Sequence, residues 1–214
     1  MKTDDVSKLE WFSYCAALFI VAAVAVITSA SGRSLTAQTI STIRDCAVVS
    51  KTDSDTQTYQ ELPNFHQVNE RLYRAAQPRP GGLRLLVRLG INTIVNLRDT
   101  DARTRAEEAE AKALGLRYYN VPMPGFSRPT EEQVGRVLAL INDPLNGKVF
   151  VHCNHGADRT GTVIACYRIS HDGWASACAR REAKRYGMSW LQIGMRDFIG
   201  DYHKRSLSAV GSDP

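Results

Sequence analysis

A cysteine and an arginine six residues apart follow an apolar run in the sequence VFVHCNHGADRTGTVI, residues 149–164. The run has β propensity and the pattern after Thr160 has helical spacing, which predicts a strand, a loop and a helix N-terminus. In such a unit the backbone N–H groups of the loop surround an anion, and the helix N-terminus adds partial positive charge. These surroundings favour the thiolate of Cys153, and Arg159 carries a planar fork of donors that fits two phosphate oxygens. The pattern therefore predicts a nucleophilic sulfur at the floor of a phosphate-binding loop.

The motif HCNHGADRTG at residues 152–161 resembles the signature loop of the cysteine-dependent protein tyrosine and dual-specificity phosphatase superfamily. Two further segments, LYRAAQP at residues 72–78 and VNLRD at residues 95–99, resemble a bacterial dual-specificity-like group. The resemblance extends over residues 62–205. It implies an α/β fold like that of the dual-specificity phosphatases, with a central, mostly parallel sheet flanked by helices. It also implies phosphomonoester hydrolysis through a phosphocysteine intermediate.

The resemblance assigns roles to the residues of the loop. Cys153 would attack phosphorus, Arg159 and the loop amides would stabilise charge on the phosphate oxygens, and Thr160 would hydrogen-bond the sulfur. His152 would orient the loop through backbone contacts, and Gly161 would allow a close helix approach. The expected phosphate-binding residues are Asn154, His155, Gly156, Ala157, Asp158 and Arg159. The chemistry requires no metal and no cofactor.

The proton donor to the leaving group stays open at this stage. In the family the general acid is an aspartate on a loop that corresponds to residues 122–129, where this chain has neither Asp nor Glu. Asp158 is the favoured candidate, and Asp99, at the end of a predicted strand, is the second. Each carboxylate has a structural alternative, because Asp158 could accept backbone N–H groups and Asp99 could cap the helix predicted at residues 103–114.

Composition limits the class of partner. The 214-residue chain is 43% hydrophobic, which is enough for one domain with a proper core. Its formal net charge is +5. The modest charge, without a lysine-rich arm, favours a small anionic group over a nucleic acid. The five cysteines include no CxxC unit, which argues against a zinc site. The expected partner is a phosphorylated protein or a small phosphate ester, and the oligomeric state is left open.

Residues 11–30 form a run without a charged side chain, WFSYCAALFIVAAVAVITSA. A helix of this length reaches about 30 Å, the thickness of the hydrocarbon core of a bilayer. The run therefore predicts a single-pass membrane anchor. The small residues 28–30 leave a cleaved signal peptide and a secreted protein as the alternative. If the tail at residues 1–10 stays in the cytoplasm, the catalytic domain lies in the periplasm.

The rest of the chain divides into a linker at residues 31–62, a phosphatase domain at residues 63–205 and a disordered tail at residues 206–214. Hydrophobic periodicity predicts the elements of the domain. A hairpin or edge strand around Leu72 comes first, followed by strands at residues 91–97, 117–121 and 149–152. Helices are predicted at residues 83–89, 103–114, 130–141, 160–170, 174–186 and 190–205.

The sequence leaves three functions open. A protein tyrosine or dual-specificity phosphatase is the leading interpretation. A phosphatase acting on phosphoinositides or other small phosphate esters is the alternative within the same chemistry. A non-catalytic phosphate-binding module is the alternative of another class, because the loop that usually carries the acid has no carboxylate.

Overall fold

A five-stranded sheet forms the centre of the computed structural model, which describes residues 58–210. The strand order is β1-β2-β5-β3-β4. The first two strands form an antiparallel hairpin, and the other pairings of the sheet are parallel. The strands are β1 (His66–Gln67), β2 (Leu72–Ala75), β3 (Thr93–Asn96), β4 (Arg117–Asn120) and β5 (Val149–His152).

Six α-helices and one short 3-10 helix accompany this sheet within the described residues. The helices are α1 (Gly82–Arg88), α2 (Ala102–Ala113), α3 (Glu131–Asn142), α4 (Asp158–Ser170), α5 (Ser176–Arg185) and α6 (Ile193–Val210), with the 3-10 turn at Pro144–Asn146. Helix α3 begins with a complete capping box, in which Thr130 and Gln133 each bond the backbone N–H of the other.

Alternating side chains of the central strand β5 build two hydrophobic cores. Val149 and Val151 pack into a core with residues of α3, α4 and α6. Phe150, on the opposite face, packs with residues of α1 and α2. A strand buried on both faces favours apolar side chains at successive positions, which explains the apolar run of residues 149–151 before the motif.

The predicted fold class is confirmed for the described residues, since a mostly parallel sheet lies between helices. Element boundaries differ from the predictions by a few residues. Helix α4 begins at Asp158 rather than Thr160, so the helix N-terminus lies within the motif. Helix α6 continues to Val210, past the predicted end of the domain and into the segment expected to be a disordered tail. The cap of α2 is Asp101, so the capping role considered for Asp99 belongs to a neighbour.

Among residues 58–210, no helix combines the length and the apolarity needed to cross a bilayer. The anchor predicted at residues 11–30 lies outside the described residues. So does the part of the predicted linker before residue 58.

Candidate active site

Cys153 directly follows β5, the middle strand of the sheet. Its side chain is a free thiol with 3% exposure. The chain then turns through residues 154–157 into α4. Within the described part of the chain, none of the backbone N–H groups of residues 154–157 donates to an acceptor. A loop of unbonded amides before a helix N-terminus is a ready anion-binding site.

Glycine is required at position 156 for two reasons. Its φ of 66° lies in the left-handed region that favours glycine. A Cβ atom there would also stand 2.4 Å from the backbone carbon and oxygen of Ala75, which no small shift relieves. The loop therefore lies directly against the end of β2.

Arg159 extends from the first turn of α4 towards two neighbouring loops. Its NH1 group donates to the carbonyl oxygens of Leu97 at 3.3 Å and Met123 at 3.4 Å. The other guanidinium nitrogens have no partner in the described structure. These contacts hold one side of the guanidinium and leave donors available for phosphate oxygens.

Two buried side chains of α4 differ in their polar contacts. Thr160 is fully buried, and its hydroxyl oxygen has no hydrogen-bond partner among the described residues. An unsatisfied buried hydroxyl requires an explanation, and a bond to the cysteine sulfur or to a bound phosphate would supply one. Cys166 lies six residues further along the helix, and burial raises the pKa of this thiol well above its ordinary value. Cys166 is therefore a packing residue.

His152 is fully buried between the loop and an acidic residue of α2. Its Nδ1 atom lies 3.3 Å from the carbonyl oxygen of Cys153. Its Nε2 atom lies 3.2 Å from Glu107 Oε1, within ion-pair distance but without the alignment of a hydrogen bond. The second carboxylate oxygen of Glu107 accepts hydrogen bonds from Asn96 and Tyr118. This network connects α2, β3 and β4 to the residue that precedes the nucleophile.

Burial raises the pKa of Glu107, but the charge of His152 and the hydrogen bonds to the carboxylate outweigh that effect. The net pKa therefore lies below its ordinary value of 4.5. The ionised carboxylate is the form that the folded protein stabilises.

The two candidate acids have different surroundings. Asp158 Oδ1 accepts a 2.8 Å hydrogen bond from the backbone N–H of Ser189, so this carboxylate ties the start of α4 to the segment before α6. The Asp99 side chain is exposed and has no partner among the described residues. It follows Leu97 by two positions, and the carbonyl oxygen of Leu97 binds Arg159. Asp99 is thus two positions from a residue that contacts Arg159, and its carboxylate has no hydrogen-bond partner in the described structure.

The segment at residues 122–129 borders the site through its backbone. Met123 supplies a carbonyl oxygen to Arg159, and the Gly125 carbonyl oxygen accepts a 3.1 Å bond from Gln192. The position expected from the resemblance is therefore confirmed for this segment, although it brings no carboxylate.

Comparison with known proteins is consistent with this geometry. The family model described as "DSP-PTPase phosphatase fused to NAD+ Kinase" matches residues 39–199. The chain belongs to the dual-specificity/tyrosine phosphatase family. The dual specificity protein phosphatase TpbA of Pseudomonas aeruginosa is 31% identical over 125 residues, covering 58% of this chain and 55% of the relative. The inositol diphosphatase SIW14 of Saccharomyces cerevisiae is 25% identical over 154 residues, covering 70% of this chain and 54% of the relative. The chain therefore spans about half the length of each.

Solved structures of the same family share the fold. The SIW14 core catalytic domain from S. cerevisiae superposes with a TM-score of 0.62 at 24% identity, covering 72% of this chain and 94% of that chain. TpbA of P. aeruginosa superposes with a TM-score of 0.58 at 25% identity, covering 71% of this chain and 94% of that chain.

The structure brings the predicted loop residues 152–161 together around one turn. It also adds three residues that the sequence analysis missed: Asn64, Arg74 and Glu107. The position of Glu107 could have been noticed, because it shares a buried stripe of α2 with Thr104 and Ala111. An acidic residue on such a stripe requires a partner. Asn64 and Arg74 contact the loop from positions far away in the sequence, and sequence spacing gives no sign of these partners.

Glu107→Gln is expected to lower the free energy of unfolding at neutral pH by about 3 kcal/mol, because it removes the buried carboxylate that faces His152 and accepts hydrogen bonds from Asn96 and Tyr118. The wild-type pKa lies below 4.5, so the contribution is complete above that pH and disappears as the pH falls through the folded-state value. Urea unfolding of both proteins should therefore show the difference shrinking below pH 4.5.

The matched control is Glu108→Gln, since Glu108 pairs with Lys112 at the surface. This change should alter the unfolding free energy by less than about 1 kcal/mol. A Glu107→Gln deficit that stays constant on acidification would contradict the assignment.

Proposed function

We propose that this protein is a cysteine-based phosphomonoester hydrolase of the protein tyrosine and dual-specificity type. The Cys153 thiolate attacks phosphorus, a P–S bond forms and the P–O bond to the leaving group breaks. The leaving oxygen takes a proton from a carboxylic acid. Water then attacks the phosphocysteine, which releases inorganic phosphate and returns the thiolate.

The observation that carries this proposal is the set of unused donors around one thiol. The amides of residues 154–157 and part of the Arg159 guanidinium have no partner in the described structure, and they belong to the loop and the first helical turn that follow Cys153. Preorganised donors of this kind stabilise the charge that builds on the phosphate oxygens during transfer. Thr160, with its unsatisfied buried hydroxyl, is suited to stabilise the sulfur as it leaves in the second step.

We assign the general acid to Asp99. The Asp158 carboxylate already accepts a backbone N–H from another segment, so its role is to hold the start of α4 in place. Asp99 is exposed and unpaired in the described structure, so it is free to approach a leaving group. This assignment reverses the preference that sequence spacing gave.

An aromatic substrate is supported by two neighbouring loops. Phe126 is 90% exposed and Trp190 is 73% exposed. The segments that carry them are joined by the bond between Gln192 and Gly125, and they contact the site through Met123 and the backbone of residue 189. Exposed rings beside a phosphate site suit the phenyl ring of phosphotyrosine. One solved structure of TpbA contains phosphotyrosine.

A small ester with several phosphates is the second candidate, supported by a cleft beside the loop. The cleft has a volume of about 920 Å³, and Asn154 and His155 form one of its walls. Arg79, Arg84 and Arg103 also line it, together with Glu110. Arginines at this position suit additional anionic groups, and relatives of this chain include inositol diphosphatases.

Attachment to a membrane by residues 11–30, with the catalytic domain in the periplasm, remains part of the proposal. The support is the uncharged run in the sequence. Protease accessibility of the domain in intact spheroplasts would test the orientation, since a cytoplasmic domain would be protected.

Cys153→Ser is expected to lower the turnover of para-nitrophenyl phosphate by at least about 10³-fold, because the hydroxyl replaces the nucleophilic thiolate. The phenolate release assay measures this directly. Cys166→Ala, which removes a buried thiol of the same helix, should retain turnover. If vanadate binds the wild type but no turnover depends on Cys153, the protein is a phosphate-binding module instead.

Asp99→Asn is expected to reduce kcat about 10²-fold or more on an alkyl phosphate and much less on para-nitrophenyl phosphate, whose leaving group hardly needs a proton. The pH–rate profile on the alkyl ester should lose its descending limb in this variant and keep it in Asp158→Asn. Asp101→Asn is the neighbouring control, because asparagine also caps a helix. Loss of the limb in Asp158→Asn alone would reverse the assignment.

Substrate class can be separated with two double variants. Phe126→Ala with Trp190→Ala should lower kcat/KM for a phosphotyrosine peptide about 10-fold, because stacking and apolar contacts are lost. Arg84→Gln with Arg103→Gln should leave that value unchanged. If the arginine double variant lowers kcat/KM for an inositol polyphosphate and the aromatic double variant leaves that value unchanged, the second candidate is favoured.

A further inference from the structure

The carbonyl oxygens on the outer side of the phosphate loop all face one segment of the chain, residues 64–77. The Asn154 oxygen accepts from the backbone N–H of Gln77 at 3.2 Å. The His155 oxygen accepts from Asn64 Nδ2 at 3.2 Å. The Gly156 oxygen accepts from Arg74 NH2 at 2.6 Å and from Asn64 at 3.2 Å. Three successive carbonyls are thus bonded on the same side.

The planarity of the peptide unit converts these bonds into an orientation of the amides. In a trans peptide the C=O of one residue and the N–H of the next point in opposite directions. Bonds that hold the oxygens of residues 154–156 therefore turn the N–H groups of residues 155–157 towards the opposite side. Those N–H groups have no partner in the described structure, as a phosphate-binding surface requires.

Arg74 is an unusual residue to find at this position. It lies on β2 with 1% exposure, and its Nε and NH1 atoms have no hydrogen-bond partner in the described structure. Its guanidinium stacks over the ring of Tyr186 at 4.6 Å. Burying a cation with unsatisfied donors costs stability, so a contribution beyond folding is expected from it.

Arg74 stays charged although it is buried. Burial lowers the pKa of Arg74 to about 10, against the opposing fields of Glu182, Tyr186 and Cys153, so the side chain is cationic at neutral pH.

Asn64 supports the same turn from a strained backbone. It is the one described non-glycine residue with positive φ, at 54°. Asparagine tolerates that conformation better than most residues. Its Oδ1 atom lies 3.1 Å from His66 Nε2, which fixes the orientation of the amide, and its Nδ2 atom also lies 3.1 Å from the Tyr186 oxygen.

We propose that Arg74 and Asn64 are positioning residues of the phosphate loop, which set the direction of its amide dipoles by holding the carbonyl oxygens of His155 and Gly156. The inference rests on the proposed phosphatase function of the loop. It assigns a role to the arginine of the LYRAAQP segment, which the chemistry of the loop itself leaves unexplained.

The test compares Arg74→Met, Arg74→Lys and Asn64→Ala with a matched control, Asn146→Ala, in the full-length chain. Asn146 is a buried asparagine that also donates to a carbonyl oxygen, that of Leu140, and it precedes β5 rather than following it. Three properties are measured: the melting temperature, the inhibition constant of vanadate, and the kcat and KM for para-nitrophenyl phosphate.

Arg74→Met and Asn64→Ala should each raise the vanadate inhibition constant about 10-fold and lower kcat more than they change KM, because the misaligned amides stabilise the transferring phosphoryl group poorly. Arg74→Lys should lie between wild type and Arg74→Met. Asn146→Ala should lower the melting temperature and leave both other properties unchanged.

Unchanged vanadate inhibition and unchanged kcat in Arg74→Met and Asn64→Ala, with a lower melting temperature, would show a structural role and overturn the proposal. If Arg74→Met does not fold, Arg74→Lys and Asn64→Ala decide the question by the same criteria. Turnover that does not depend on Cys153 would instead refute the proposed function, and vanadate affinity would still test the positioning role.

Discussion

The site depends on peptide groups whose carbonyl oxygens are held by hydrogen bonds on the side away from the free N–H groups. An anion can bind to backbone N–H groups only if the carbonyl oxygens of the same peptides are satisfied elsewhere. Here the neighbouring strand and the turn before it supply those donors, from Gln77, Asn64 and Arg74. Gly156 allows the loop to lie against Ala75, because any larger residue would collide with that backbone. The geometry of the loop is therefore a property of β2 as much as of the motif.

Buried charges surround the loop on its protein side. Glu107 and His152 form one pair behind β5, and Arg74 lies under the turn with Glu182 as its largest opposing charge. Such groups cost free energy to bury and are retained where they fix one arrangement of neighbouring groups. Here the buried charged groups have partners within the protein, whereas the donors that would bind phosphate are unpaired in the described structure.

No buried contact in the described structure holds a free carboxylate that could protonate the leaving group. The segment that borders Arg159, residues 122–129, contributes backbone oxygens and an exposed Phe126 but no acid. Asp158 is engaged by Ser189. The proposed phosphate-binding loop is thus held by buried contacts, while the proposed acid, Asp99, is an exposed residue without a partner in the described structure.

The sequence by itself determined the order of the elements and the core of the site. The apolar run of β5, the glycine and arginine of the motif and the capping box of Thr130 are local signals, because each depends on neighbours within one or two turns. The tertiary structure decided which carboxylate is free, which carbonyls are held and what lies behind His152. Asn64 contacts His155 from 91 positions away and Arg74 contacts Gly156 from 82. The parallel pairing of β2 with β5 brings Arg74 to the loop, and the hairpin of β1 and β2 follows Asn64; no periodicity in a single chain segment records such pairings.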